Sequence, residues 1–549
     1  MTTAAHAPAP AGRREIFLAA AVTLLVLLPF AGKAFHIDDT LFLKAARQIR
    51  VHPLDFYGFS ANWFGTELSM WQVMKNPPLA AYFIALVTAI AGETETALHL
   101  AFLLPAVAAI LGTYVLARRL CSYPLLAAMA TLFCPAFLVS STNVMCDTLL
   151  LAFWVWAVEL WLRGIGGDGF RELTGSVLLM SLAALTKYFG MALLPLLFAH
   201  GIVRTRRIGT WALSLILPVL VLTGYQTWTR SLYGQGLLAD AATYAILFRF
   251  HSGVLVFTKA LVGLCFAGGC FASAAFFAPW LWSRRALVAA AVAALVAGGI
   301  AAAARLVAQW GGIAQVGVFA IAGANVLALT WADYRRRRDA SSVLLLLWVA
   351  GTFTFAVFLN WTVNARTFLP AAPAVAILLA RRLELHPSLS RATTVIPLAA
   401  AAVLSFAAAW ADFGLAGAAR EAAPRIVAEA GGDGSGTLWF EGHWGFQRYM
   451  EQAGAKPLDF RRSRVLPGDR IAVPLNNTNL LPLPAESFAP RSVVGVPVLP
   501  FLSTLSPAVG AGFYTDIWGP LPFAFGAVPP ERYAVVEVLR EIPPGEIAR

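Results

Sequence analysis

The sequence predicts a polytopic α-helical membrane protein with a small C-terminal α/β domain outside the membrane. Three observations predict it. Of 549 residues, 59% are hydrophobic and 13% charged, against about half apolar and a quarter charged in soluble domains. Apolar runs of membrane-spanning character follow one another from residue 15 to residue 411. After 411 the composition turns mixed and polar, with many Pro and Gly.

The runs lie at 15–32, 78–91, 97–116, 123–140, 149–163, 174–186, 189–202, 209–227, 254–281, 286–304, 310–332, 341–359, 367–380 and 392–411. The net charge of +12 sits in short basic clusters between them. That is the pattern of cytoplasmic loops, not of a nucleic-acid-binding face. The clusters are Arg13/Arg14, Arg118/Arg119, Arg163/Arg171, Arg204/Arg206/Arg207, Arg284/Arg285, Arg335 to Arg338 and Arg381/Arg382. All seven fall on the cytoplasmic side if 78–91 does not span. That run is short and opens with "NPPL", which suits an interfacial or re-entrant segment. About thirteen spans result, with a cytoplasmic N-terminus and an extracytoplasmic C-terminal region.

Residues 13–34 have the outline of a signal peptide, but the run is long enough to be the first span. The five cysteines lie in or beside apolar runs, none in a CxxC pair, so neither a disulfide framework nor a zinc site is indicated. The alanine- and arginine-rich composition suits a bacterial inner membrane. The expected division is a membrane domain, 1–411, and an extracytoplasmic domain, 412–549.

Residues 33–96 form one long outer loop in this topology. "DDTLFLKAARQI" carries Leu41, Ala45 and Ile49 at helical spacing and reads as an amphipathic helix on the membrane surface. Two short runs flank "TKYFG", which puts Lys187 at or just within the outer face; there it either faces a cavity or snorkels to the surface. In the C-terminal region, "TLWFEG" (437–442), "RIAVPL" (470–475), "SVVGVPV" (492–498) and "YAVVEVL" (533–539) read as strands, and "HWGFQRYMEQAGA" (443–455) as a helix. Trp444, Phe446, Tyr449 and Met450 read as packing residues rather than a sugar platform.

The outer side of a membrane protein is poor in Lys and Arg, so exceptions carry information. Lys75 precedes Asn76-Pro77-Pro78, Arg366 opens a span, and Lys33 and Lys187 lie at boundaries. Outer acids near the membrane are Asp38, Asp39, Asp55, Glu67, Asp147 and Asp240. A lone Asp at the position of Asp147 is equally well read as a helix cap. Together these charges suit a substrate with an anionic head on a lipid: cations for the phosphate, a carboxylate for acid–base work. A transporter or flippase would spread ionisable groups along a mid-membrane path.

Five segments resemble, in order, those of GT-C membrane glycosyltransferases related to dolichyl-phosphate-mannose protein mannosyltransferases and the lipid A aminoarabinose transferase. They are "IDDT", "NPPLAAYFIAL", "VMCDTLLLAFWVWAVELW", "LTKYFGMALLPLL" and "NARTFLPAAPAVAILLA", over about residues 10–390. The resemblance implies a GT-C fold and a polyprenyl-phosphate sugar donor. The sugar would pass, with inversion, to a hydroxyl of a protein, lipid or glycan acceptor among membrane lipids. It maps the family's activating carboxylate onto Asp38, with Asp39 and Asp147 as companion catalytic candidates. Lys75, Lys187 and Arg366 become candidates for the donor phosphate, and Asn76, Pro77 and Pro78 position the loop. The chain departs from the aminoarabinose transferase pattern in placing Asn76 between Lys75 and the prolines, and Thr367 and Phe368 where a tyrosine is expected. No cofactor is required, because Lys and Arg supply the positive charge. A divalent cation, Mn or Mg, is the alternative, with His36, Asp38, Asp39 and Asp147 as ligands. The remaining alternatives are a transporter and a non-catalytic scaffold of the same fold.

Overall fold

The computed structural model describes residues 12–165, 169–251, 256–307, 309–386, 390–430, 436–483 and 485–546. Every expected apolar run is helical in its described part. Among the described residues, seven helical segments are long and apolar enough to cross a membrane: Glu95–Leu120, Tyr188–Thr205, Trp211–Tyr233, Arg284–Ala303, Trp310–Arg337, Ala340–Leu359 and Arg391–Ala430. The chain is a polytopic membrane protein, and several of its remaining apolar runs are shorter or broken helices. Run 123–140, for example, divides into Pro124–Leu132 and Pro135–Ser140. Pro135 has no N–H to continue the first helix, so it starts a new one.

Run 78–91 forms the 13-residue helix Leu79–Ala91. It packs on the helix Asp39–Val51 and on Glu95–Leu120. The Asp39–Val51 helix has the expected apolar spacing but not the expected surroundings. Leu41, Ala45 and Ile49 are buried, as are Phe42, Leu43 and Ala46 on adjoining faces. Protein covers it from two sides: Leu79–Ala91 and the C-terminal helix Trp444–Gln452. The Thr40 hydroxyl donates to the Trp444 carbonyl (2.8 Å), and Lys44 pairs with Glu451 (2.8 Å). Its amphipathic pattern is therefore satisfied by the protein rather than by a membrane surface.

The 40-residue helix Arg391–Ala430 joins the two parts of the molecule. At 1.5 Å per residue it is about 60 Å long, roughly twice the hydrocarbon thickness. The composition change at 411/412 therefore falls inside one continuous helix, and the helix projects beyond the apolar layer. On its projecting half, Ala418, Ala422 and Ile426 pack against Phe440, Phe446, Val494 and Val535.

Those residues belong to a five-stranded sheet in the order Lys456–Pro457, Leu438–Phe440, Arg470–Pro474, Glu531–Val538, Phe488–Val496. Leu438–Phe440 pairs in parallel with both its neighbours, and Glu531–Val538 antiparallel with both of its own. All four expected strands and the expected helix, Trp444–Gln452, are present. Phe446, Tyr449 and Met450 are buried, consistent with packing.

The C-terminal region is not confined to this domain. Leu502, Leu505, Phe513, Tyr514 and Phe523 join the hydrophobic core of the membrane helices.

Candidate active site

Asp38 immediately precedes the helix Asp39–Val51. Its carbonyl accepts the amides of Leu41 (2.9 Å) and Phe42 (3.3 Å), yet its carboxylate does not cap the helix. An N-cap aspartate ordinarily spends its side chain on first-turn N–H groups. Here the carboxylate reaches across the chain, and its Oδ2 lies 2.9 Å from Arg366 Nη1.

The backbone leading into Asp38 is strained. Ile37 has φ +47°, a left-handed conformation that costs a β-branched residue about 1–2 kcal/mol. Asp39 is the clamp that holds the turn. Its Oδ2 accepts the His36 amide (2.8 Å) and its Oδ1 the Val144 amide (3.0 Å), with no exposed surface. Both carboxylate oxygens face backbone amides, so this expected catalytic candidate sits as a brace behind Asp38. Burial pushes the Asp39 carboxyl up to about 7.

Asp147 is the second residue of the helix Cys146–Gly164 and makes no cap bond. It is 2% exposed. Its Oδ1 accepts from Lys187 Nζ at 2.6 Å, and its Oδ2 lies 3.9 Å from Arg366 Nη1. A carboxylate here is favoured by the positive helix end. The cap reading of Asp147 is thus replaced by an ion-pair bridge. Lys187 follows the last turn of Phe170–Thr186 in extended conformation, where the chain breaks before a short 3-10 turn. The four charges form one chain: Asp38, Arg366, Asp147, Lys187.

Arg366 is placed by neighbours from the C-terminal region. The Ala365 amide donates to the Phe513 carbonyl (2.9 Å), and the Asp516 amide to the Val363 carbonyl (2.9 Å). The Asn364 side chain caps the short helix Ala365–Phe368 that carries Arg366, accepting from the Thr367 amide at 2.9 Å. The guanidinium lies over the Tyr514 ring, 5.4 Å from its centroid. Arg366 Nε and Asp147 Oδ2 are buried and have no hydrogen-bond partner. An unmade bond on a buried guanidinium costs free energy that an arriving anion would recover.

Behind Tyr514 lies a buried polar network that sequence reading did not assemble. The Tyr514 hydroxyl donates to Asp412 Oδ2 (2.8 Å) and accepts from Asn143 Nδ2 (3.0 Å). Lys33, expected as an outer cation, has no exposed side-chain surface and pairs with Asp412 at 2.5 Å. Asp412 also accepts from the Thr504 hydroxyl (2.6 Å). Asp412 gave no signal beyond its place at a composition change, and Tyr514 none.

Lys75 stands apart from the four-charge chain. It pairs with Asp240 at 2.5 Å and lies 5.3 Å from the Tyr244 ring centroid. Burial and then the charge of Asp38 raise the Tyr244 hydroxyl above its ordinary range. The Asn76 carbonyl accepts the Tyr57 hydroxyl (2.8 Å), and Pro78 precedes the first turn of Leu79–Ala91.

The ligand set expected for a cation does not converge. Asp39 faces backbone amides, Asp38 faces Arg366, and His36 Nε2 is directed toward Asp412, 4.0 Å away. Among the described residues, no three His, Cys, Asp or Glu side chains are grouped to hold a metal ion.

Residues 75–228 match the family model described as dolichyl-phosphate-mannose-protein mannosyltransferase. The match takes in Lys75, Asn76, Pro77, Pro78, Asp147 and Lys187, and bears out the resemblance to GT-C glycosyltransferases. Asp38 and Arg366 lie outside it. No curated protein matches the chain. Among solved structures, the chain is similar to an oligosaccharyltransferase from Archaeoglobus fulgidus (14% identity, 81% of this chain, 64% of that one, TM-score 0.46). It is also similar to ArnT from Cupriavidus metallidurans bound to undecaprenyl phosphate (17%, 85% and 94%, TM-score 0.42). A third likeness is to the mycobacterial arabinofuranosyltransferase AftD (14%, 96% and 42%, TM-score 0.38). The chain thus spans 64% of the length of the archaeal oligosaccharyltransferase. These likenesses are too distant to carry an activity across.

Proposed function

We propose that this protein is an integral membrane glycosyltransferase. It moves a sugar from a polyprenyl-phosphate donor to an acceptor hydroxyl at the extracytoplasmic face of a bacterial inner membrane. The observation that carries the reading is the chain Asp38–Arg366–Asp147–Lys187, in which a non-capping carboxylate meets a guanidinium with an unused donor.

In this reading Asp38 takes the acceptor proton as the hydroxyl oxygen attacks the anomeric carbon. The bond from that carbon to the phosphate oxygen breaks on the opposite face, so the configuration inverts. Arg366 and Lys187 stabilise charge on the departing lipid phosphate, with Lys75 as a more distant cation. Asp147 holds the two cations at a common site, and Asp39 braces the turn that carries Asp38. Asn76, Pro77 and Pro78 shape the loop behind Lys75. No metal is required. The N-terminus is cytoplasmic and the sheet-containing domain extracytoplasmic. The acceptor is a lipid, glycan or protein hydroxyl.

The test is a purified full-length protein incubated with a panel of undecaprenyl-phosphate sugars, reading free undecaprenyl phosphate. Release that requires Asp38 supports the reading. No release from any donor, in the presence of a mixed cell-envelope acceptor extract, overturns it.

A further inference from the structure

Away from the four-charge chain, a cavity of about 320 Å³ opens against residues 305–307, Gln309 and Gly312 and the C-terminal segments 507–510 and 516–520. Thr258, Arg305, Gln309, Asp516 and Trp518 supply its polar and aromatic lining, and Val262, Val307 and Pro520 its apolar surface. We propose that this cavity is a saccharide-binding site that holds a neutral sugar unit of the acceptor. The word acceptor rests on the transfer reading above; the saccharide site does not.

The lining selects the ligand class. One cation and one carboxylate leave the cavity close to neutral, which disfavours a phosphate. Its polar groups would be left unpaired beside a prenyl chain, at a cost for each. A sugar presents hydroxyls that both donate and accept, and C–H faces that cover apolar surface. Gln309 and Thr258 can match the first, Arg305 donates, Asp516 accepts, and Trp518 with its apolar neighbours matches the second. The volume lies at the lower end of the range for small-ligand sites, about 300–1,000 Å³.

Arg305 adopts φ +51° in the turn that closes the helix Arg284–Ala303, where its amide donates to the Ala302 carbonyl (3.1 Å), so glycine would sit there without strain. The aromatic wall is held in place. Trp518 is fixed by its indole N–H, which donates to Asn476 Oδ1 at 2.6 Å, and by the Trp444 ring, 5.4 Å away between centroids. Ligand binding therefore costs little ordering of the aromatic wall.

The cavity also backs onto the segment that carries Arg366. Asp516 Oδ1 accepts the Val363 amide at 3.1 Å and the Thr362 hydroxyl. Tyr514, two residues before Asp516, is the ring against which Arg366 lies. A sugar held by Asp516 and Trp518 thus touches the same short segment that positions the phosphate-binding guanidinium.

The experiment is saturation-transfer NMR on the purified full-length protein in nanodiscs. The probes are methyl glycosides of mannose, glucose, N-acetylglucosamine and arabinose, with inorganic phosphate and decyl phosphate as the competing classes. At least one glycoside is expected to bind, and Arg305→Gly combined with Gln309→Ala is expected to weaken it by at least about tenfold. Both side chains are exposed, and the glycine relieves strain, so the variant keeps its fold. Asp38→Asn is expected to bind glycoside as the unaltered protein does. Absence of glycoside binding, binding indifferent to the double variant, or displacement of the glycoside by phosphate or decyl phosphate overturns the proposal. Release of lipid phosphate, measured in parallel, separates the two readings. Glycoside binding without release leaves the site standing and the transfer reading fallen, and release without glycoside binding does the reverse.

Discussion

Arg366 Nη1 lies 2.9 Å from Asp38 Oδ2, so the carboxylate proposed as the base is paired with the cation proposed to receive the donor phosphate. The two expected roles are thereby coupled. A donor phosphate that draws on Arg366 weakens its hold on Asp38 and leaves that carboxylate to the acceptor hydroxyl. Asp38→Asn is expected to lower turnover by about 10²–10⁴-fold without weakening donor binding, because the guanidinium loses a competitor. Steady-state release of lipid phosphate, together with a donor-binding titration, checks both halves. A variant that loses donor affinity in proportion to turnover would contradict the coupling.

Lys187 and Asp147 form the other end of the chain, and Asp147 is nearly fully buried. Lys187→Ala leaves that carboxylate with only the more distant Arg366, and is expected to destabilise the protein by about 1–3 kcal/mol, less than a fully buried pair because Lys187 keeps some contact with solvent. Adding Asp147→Asn is expected to restore much of the stability but none of the turnover. Denaturation in detergent and product release, measured on the single and double variants, separate the structural from the functional part.

Tyr514 offers a split between its ring and its hydroxyl. Tyr514→Phe keeps the surface under Arg366 but removes the bridge between Asn143 and Asp412. It is expected to cost about 1–3 kcal/mol of stability and to leave the KM for the donor near its original value. Tyr514→Ala is expected to raise that KM several-fold as well. Equal KM values for the two variants would show that the ring does not support Arg366.

Glu441 predicts a pH dependence in the sheet-containing domain. It is 2% exposed, one of its oxygens has no hydrogen-bond partner, and burial pushes its carboxyl up to about 8 from 4.5. Between those values the folded state holds a proton that the unfolded state has released, so this group removes stability as pH rises and none further beyond the upper value. Glu441→Gln has no such loss. Its thermal midpoint is expected to gain on that of the unaltered protein as pH is raised from about 5 to about 9. A constant difference across that range would contradict the assignment.

Part of the site was legible in the sequence because its residues break a rule that acts locally. Cations and acids at the mouths of apolar runs stand out against the hydrocarbon requirement. Asp38, Asp147, Lys187 and Arg366 are among such residues, and the resemblance to GT-C glycosyltransferases is what singles them out as site candidates. The helices, the C-terminal strands and the shortness of the 78–91 run follow from the same kind of local signal. Apolar length and periodicity are properties of adjacent residues.

The tertiary structure decided what those residues touch. Whether Asp147 capped a helix or bridged two cations depended on Lys187 and Arg366, distant in the chain. The amphipathic Asp39–Val51 helix had the same pattern whether membrane or protein covered it, and the helices Leu79–Ala91 and Trp444–Gln452 cover it. Lys33 and Asp412 lie 379 positions apart and form a buried pair that no spacing announces. Residues 513–516 return from the sheet-containing domain to hold the Arg366 segment, although their composition marks them only as C-terminal loop. Hydrophobic patterning reports whether a side chain leaves water, but not which neighbour replaces the water. That choice is made by long-range packing, and here it creates the ion-pair chain on which the proposed chemistry rests.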